Sequence, residues 1–189
     1  MSEPASPLIR AATPADIPAL LMLEARYYVG NLAPASRENG FLSVQHSAEW
    51  FDAAVREAGV HVAEIAGDVV GFIAVTKPPR RADTSPGSLT RSLVDLAHVT
   101  HFQGQLVASQ RYAVRGPVLI DEAARGRGIY TAFNAVTHEV HRDRFDIGVL
   151  FVAADNPRSL HTTTVKLGAE PLAVFDVGGR RYHFLAYAF

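Results

Sequence analysis

The chain has no cysteine among its 189 residues. That excludes a disulfide framework, a thiolate nucleophile and any zinc or iron–sulfur site with cysteine ligands. Excess charge of either sign is also missing: 18 Lys plus Arg stand against 19 Asp plus Glu. No global basic field exists to draw in nucleic acid or an anionic membrane surface, so neither is an expected partner. No apolar run approaches the ~20 residues that span a bilayer. The opening Met1-Ser2-Glu3-Pro4-Ala5-Ser6-Pro7 lacks the basic and apolar regions of a signal peptide, so a cytoplasmic protein is expected. His98 and His101 have the helical i, i+3 spacing that could hold a metal, but lone histidine pairs are usually surface residues. His138-Glu139-Val140-His141 falls short of His-Glu-x-x-His, so no metal is expected. Apolar residues, by contrast, make up 48% of the chain, enough for one well-buried core and a single domain over residues 1–189.

Leu8 to Ala11 reads as a short strand. Thr13-Pro14-Ala15-Asp16 then supplies an N-cap, a proline at the first helical position and a carboxylate at the third, so a helix is expected from there to about Val29. Leu20, Leu23 and Tyr27 share one face of it. Residues 31–40 have loop composition, and a second helix after Ser47 carries Trp50, Ala54 and Val55 until Glu57-Ala58-Gly59 stops it. Residues 60–66 and 69–76 form a hairpin around the two-residue turn Gly67-Asp68. Residues 77–112 read as an insertion, an exposed loop followed by a helix on Leu89, Leu93 and Leu96 that reaches about residue 102. A lid and a contact between two copies, giving a homodimer, are the roles open to it.

Residues 113–121 are the next strand, and Ile129, Ala132, Phe133, Val136 and Val140 mark the apolar stripe of a helix ending near residue 144. Residues 147–154 fit a strand buried on both faces. Asp155-Asn156-Pro157 opens a helix that Lys166-Leu167-Gly168 closes, and a terminal hairpin turns at Gly178-Gly179. The fold class is α/β: helices first, then a hairpin, a β-α-β-α core and a closing hairpin.

The segment richest in chemistry is Val118-Leu119-Ile120-Asp121, followed after three residues by Arg125-Gly126-Arg127-Gly128-Ile129-Tyr130-Thr131. A strand, a glycine-paced turn and a helix start stand in succession. The first N–H groups of a helix have no acceptor one turn back and carry the positive end of its dipole, so such a junction can hold a phosphate. This spacing resembles the acyl-CoA signature Gln/Arg-x-x-Gly-x-Gly/Ala of the GNAT (Gcn5-related) N-acetyltransferases. Arg125 and Gly128 match, and Tyr130 departs from the last residue. A second match is Asn156-Pro157-Arg158-Ser159-Leu160 leading to Lys166-Leu167-Gly168-Ala169, which is similar to the family's Asn-x-x-Ala/Ser helix ending in Lys-Leu-Gly-Phe. The order of elements is the GNAT order over roughly residues 8–189, the insertion aside.

The resemblance implies a GNAT-like acyl-CoA N-acyltransferase fold, with a central mixed, mostly antiparallel sheet flanked by helices. It implies acetyl-CoA as acyl donor and an amine acceptor: a small molecule, a peptide terminus or a lysine. The backbone of Val118, Leu119 and Ile120 would pair with the pantetheine arm. The N–H groups of Gly126, Arg127, Gly128, Ile129, Tyr130 and Thr131 would bind the pyrophosphate, with charge from Arg125 and Arg127. Asn156 either meets CoA or caps its own helix; both readings are open. The segment joining the first two helices would face the acceptor with Tyr27, Tyr28 and Phe41. For the base, Asp121 is the candidate, with Glu64, His98 and His101 beside it. The family's acid is a tyrosine in the helix after the Asn motif, where this chain has Thr162, Thr163 and Thr164, and Thr164 is the candidate. The missing tyrosine keeps a non-catalytic acyl-CoA sensor as the alternative. A mononucleotide-binding domain is disfavoured, because no Gly-x-x-x-x-Gly-Lys-Ser/Thr loop is present.

Overall fold

A computed structural model describes residues 6–189. Residues 1–5, on which the reading of a missing signal peptide largely rests, lie outside the described residues. In chain order the elements are β1 (Leu8–Ala11), α1 (Ile17–Tyr27), α2 (Ala48–Arg56), β2 (Val60–Ile65), β3 (Asp68–Thr76), α3 (Leu89–Ala97), β4 (His101–Phe102), β5 (Gln105–Leu106), β6 (Tyr112–Ile120), α4 (Ile129–His141), β7 (Ile147–Ala153), α5 (Pro157–Lys166), β8 (Glu170–Val177) and β9 (Arg180–Ala188). This is a mixed α/β fold of mostly antiparallel strands flanked by helices. The backbone forms two compact units, one of Met1–Arg37, Phe41–Thr76 and Gly116–Glu139, the other of Glu38–Gly40, Lys77–Arg115 and Val140–Phe189. Strand β6 contributes to both.

In the first unit the strand order is β1-β2-β3-β6, and β1, β2 and β3 pair antiparallel. Helices α1 and α2 bury Leu20, Leu23, Phe51 and Ala54 against Val60, Val62, Phe72, Ala74 and Leu119. Phe51, outside the stripe read from the sequence, is the anchor of α2: it has no exposed surface and meets Phe72 edge-on at 5.6 Å. The hairpin turns one residue earlier than expected. Ala66 (φ 52°) and Gly67 (φ 89°) take the two left-handed positions that such a turn requires, and Asp68 opens the strand. Pro14–Asp16 is a 3-10 turn, so α1 starts at Ile17 and not at Pro14.

One guanidinium ties this unit together. The terminal nitrogens of Arg10 on β1 each donate to Asp16 at 2.8 Å, while its Nε donates to Glu64 on β2 at 2.9 Å. Asp16 also accepts from the Thr13 N–H at 2.7 Å and the Thr13 hydroxyl at 2.9 Å. Glu64 thus holds a strand pair in place. The Arg10 guanidinium, helped by the Thr13 donors, keeps the buried Asp16 carboxyl well below the usual carboxylate range against the opposing effect of burial.

In the second unit the order is β6-β7-β9-β8. β6 and β7 run parallel from Tyr112↔Ile147 to Val114↔Val149, and β9 is antiparallel to β7 and β8. β7 is buried on both faces, as its apolar run requires. Ile147 and Val149 pack with Leu93, Ala97, Phe102, Val107, Phe184 and Ala186. Leu150 and Val152 pack with Ala169, Leu185 and Tyr187 on the other side. The 77–112 segment therefore builds one wall of this core through α3, Phe102 and Val107. Helix α3 stops at Ala97, short of residue 102, because Gln103 (φ 52°) and Gly104 (φ 79°) turn β4 into β5. The buried line of α4 is also rotated from the expected stripe. Ile129, Phe133, Thr137 and His141 are buried while Val140 is 38% exposed. Thr137 tolerates burial by donating its hydroxyl to the Phe133 carbonyl at 2.7 Å. No helix among the described residues is long and apolar enough to cross a membrane.

Asp16 has a depressed carboxyl in the folded protein, so its contribution is complete above the ordinary carboxylate range and is lost as pH falls below about 4. Asp16→Asn is expected to lower unfolding free energy at neutral pH by about 1–3 kcal/mol and to flatten the acid decline. Urea unfolding across a pH series checks both.

Candidate functional site

The site grows from the end of β6. Gly71 of β3 permits the close approach of the two strands: a Cβ there would lie 2.7 Å from the Leu119 carbonyl oxygen. The Asp121 N–H then donates to Val70 at 2.8 Å. The Asp121 carboxylate caps the next 3-10 turn, Glu122–Ala124, by accepting from the Ala123 N–H at 3.0 Å, and it pairs with Arg26 of α1. The Glu122 N–H donates to the Tyr27 hydroxyl at 2.8 Å. Arg125 donates from Nε to the Ile120 carbonyl at 3.2 Å and lies 5.6 Å above the Tyr27 ring. The last turn of α1 therefore grips this turn through both Arg26 and Tyr27.

Beyond Arg125 the chain turns on two left-handed glycines, Gly126 (φ 80°) and Gly128 (φ 77°). A Cβ at either would meet no atom within 4 Å. The glycines serve backbone conformation, and the space over them is open. The first bond of α4 runs from the Ala132 N–H to the Gly128 carbonyl at 3.0 Å, so the N–H groups of Ile129, Tyr130 and Thr131 occupy the first turn, facing out along the axis. Gly126, Arg127, Gly128 and Thr131 are exposed, Tyr130 is half-buried and Ile129 is buried. Backbone N–H groups, the helix dipole and the exposed Arg127 together suit a phosphate or diphosphate.

Several of the remaining expected site residues have partners within their own unit. In the second unit Asn156 is 4% exposed and caps α5, its Oδ1 accepting from the Ser159 N–H at 3.2 Å. Gly40 packs beside it, where a Cβ would stand 3.8 Å from that oxygen. Thr164 donates its hydroxyl to the Leu160 carbonyl at 2.9 Å. Phe41 is 8% exposed. Tyr28, half-buried, bridges to Leu42, and its ring lies over Gly30. His98 and His101 are exposed in the 77–112 segment. Among the described residues, no three His, Asp or Glu side chains gather as a metal ion needs.

Sequence reasoning missed one polar pair. Glu24 of α1, 1% exposed, accepts from the His46 backbone N–H at 2.7 Å and lies 2.8 Å from His46 Nδ1. A signal existed: Glu24 falls on the stripe of Leu20, Leu23 and Tyr27, and a carboxylate on a buried stripe must have a partner.

By sequence the chain matches no protein-family model and no curated protein. By structure it is similar to a ribosomal-protein-alanine N-acetyltransferase from Brucella melitensis, at 20% identity and a TM-score of 0.62 over 96% of this chain and 99% of that one. A GNAT-family acetyltransferase from Streptococcus agalactiae superposes with a TM-score of 0.66 at 16% identity, over 97% of this chain and 95% of that one. A NatC complex bound to Gag peptide and CoA matches at 11% identity, with a TM-score of 0.62 over 97% and 99% of the two chains. The chain has the fold of the GNAT N-acetyltransferases.

Tyr27→Phe removes the acceptor for the Glu122 N–H and keeps the ring beneath Arg125. The expected result is a loss of about 1 kcal/mol or less and faster amide hydrogen exchange at Glu122, while the amide of Val62 in β2 exchanges as before. Exchange read by NMR checks this.

Proposed function

We propose that this GNAT-fold chain is a cytoplasmic, acetyl-CoA-dependent N-acetyltransferase that passes an acetyl group directly to the amine of a small molecule, a peptide terminus or a lysine. The observation that carries the reading is the turn opening α4. Two left-handed glycines with open space above them, at a helix N-terminus in this fold, fit the diphosphate of CoA. The backbone of Val118, Leu119 and Ile120 extends the same site as a strand edge for the pantetheine amides. Arg127 adds charge at the phosphates, and Arg125, held by Ile120 and Tyr27, keeps the turn in shape. Asp121 braces the same turn through Ala123 and Arg26. The names of the similar proteins, a ribosomal-protein-alanine acetyltransferase and a complex holding a peptide with CoA, support a peptide terminus as one acceptor class.

A second reading, a sensor that binds acyl-CoA without turnover, is favoured by Thr164. Its hydroxyl is committed to the helix backbone, and the sequence has no tyrosine between Tyr130 and Tyr182. Thiol release from acetyl-CoA separates the readings, using a panel of alanine-terminal peptides, lysine peptides and arylalkylamines. Turnover with any amine supports the enzyme, CoA binding without turnover supports the sensor, and absence of CoA binding removes both.

Gly128→Asp sets a carboxylate against the diphosphate and forces a side chain into a left-handed backbone. Acetyl-CoA affinity is expected to fall by about tenfold or more, roughly 1.4 kcal/mol or above, with the far-ultraviolet circular dichroism retained. Unchanged affinity in a calorimetric titration would overturn the site.

A further inference from the structure

We infer that His46, oriented by the buried carboxylate of Glu24, takes the proton from the acceptor ammonium; the inference rests on the acetyltransferase reading above. Glu24 is almost fully enclosed, and a carboxylate in that position must be matched by donors. Two contacts to it come from one residue. The His46 N–H reaches Oε2 at 2.7 Å and ring Nδ1 faces Oε1 at 2.8 Å. The backbone bond alone would pin this segment to α1. The ring bond adds a fixed tautomer: an ionised carboxylate only accepts, so Nδ1 carries the hydrogen and Nε2 of the neutral ring is the basic nitrogen.

The imidazole is packed but not sealed, with 19% of its side-chain surface open. It stacks at 3.9 Å and 36° on Trp50 and meets Phe51 edge-on at 6.0 Å. The groups facing it are thus Glu24 from α1 and two apolar rings from α2. Its position also suits the task. His46 lies in the segment joining α1 and α2, where the family resemblance places the acceptor. Phe51 belongs to the buried apolar cluster that includes Leu119, the β6 residue assigned to the pantetheine stretch, and Trp50 packs against that cluster.

In the transfer, the ammonium gives one proton to His46 Nε2 and becomes a neutral amine. The amine lone pair forms the C–N bond to the thioester carbonyl carbon, and the C–S bond breaks with its electron pair going to sulfur. The nitrogen's remaining excess proton passes through solvent to the thiolate, giving the amide and CoA thiol, while the imidazolium returns its proton to water. Glu24 is a positioning residue that stabilises the imidazolium.

The test compares wild type, His46→Gln, His46→Ala and Glu24→Gln, using as probe the amine that wild type turns over fastest in the panel above. kcat/KM is measured from about pH 6 to 9, with acetyl-CoA affinity measured alongside by calorimetry. His46→Gln is expected to lose about 100-fold in kcat/KM and the acid limb of the profile, with acetyl-CoA affinity within about twofold of wild type. Added imidazole should restore part of the activity of His46→Ala. Glu24→Gln should lose about tenfold through kcat, with KM and acetyl-CoA affinity within about twofold of wild type. Retention of the acid limb in His46→Gln, or activity lost only in step with acetyl-CoA binding, overturns the assignment alone. Wild type that turns over no amine overturns the acetyltransferase reading and the assignment with it.

Discussion

The glycine turn at the start of α4 depends on a polar brace between the end of β6 and the last turn of α1. Left-handed glycines resist bending weakly, so a cradle built on them holds its shape only if both shoulders are fixed. Here Asp121 is held by Arg26 and the Ala123 N–H, the Glu122 N–H by the Tyr27 hydroxyl, and Arg125 by the Ile120 carbonyl and the Tyr27 ring. Individually these are ordinary, partly exposed contacts of modest strength. Their effect comes from convergence on five consecutive residues.

α1 thereby acquires a second task besides packing. Its buried face carries Leu20, Leu23 and Glu24, and its final turn carries the brace. The carboxyl group of Glu24 in such surroundings is met by the His46 backbone N–H, which donates to it, and by ring Nδ1 at 2.8 Å. An apolar side chain at residue 24 would remove the acceptor that the His46 N–H and Nδ1 face.

Much of the fold was legible in the sequence because its signals are local. Thr13 to Asp16 marked a helix start one turn early, the apolar run of β7 marked a strand covered on both sides, and paired turn residues marked hairpins. The departures have equally local causes. The first hairpin turns on Ala66-Gly67, where Ala66 accepts a left-handed conformation that composition does not advertise. The helix of the 77–112 segment yields to a ribbon because Gln103-Gly104 is itself a hairpin turn. On α4 the buried line falls on Thr137 and His141, where a hydroxyl that bonds back to its own helix and an imidazole among aromatic rings substitute for aliphatic side chains.

The sequence by itself determined the order of elements and the glycine-paced turn with its GNAT spacing, since each rests on φ preferences, periodicity and capping within a few residues. Tertiary structure alone decided which partners the polar side chains meet. Asp121 became a brace, Asn156 a buried helix cap, Thr164 a donor to its own helix, and the 77–112 segment a core wall. Glu24 and His46, twenty-two positions apart, met only when α1 and the segment after it folded together. A side chain's partner is set by which distant segments the sheet and helices bring within about 3 Å, and no local pattern encodes that meeting.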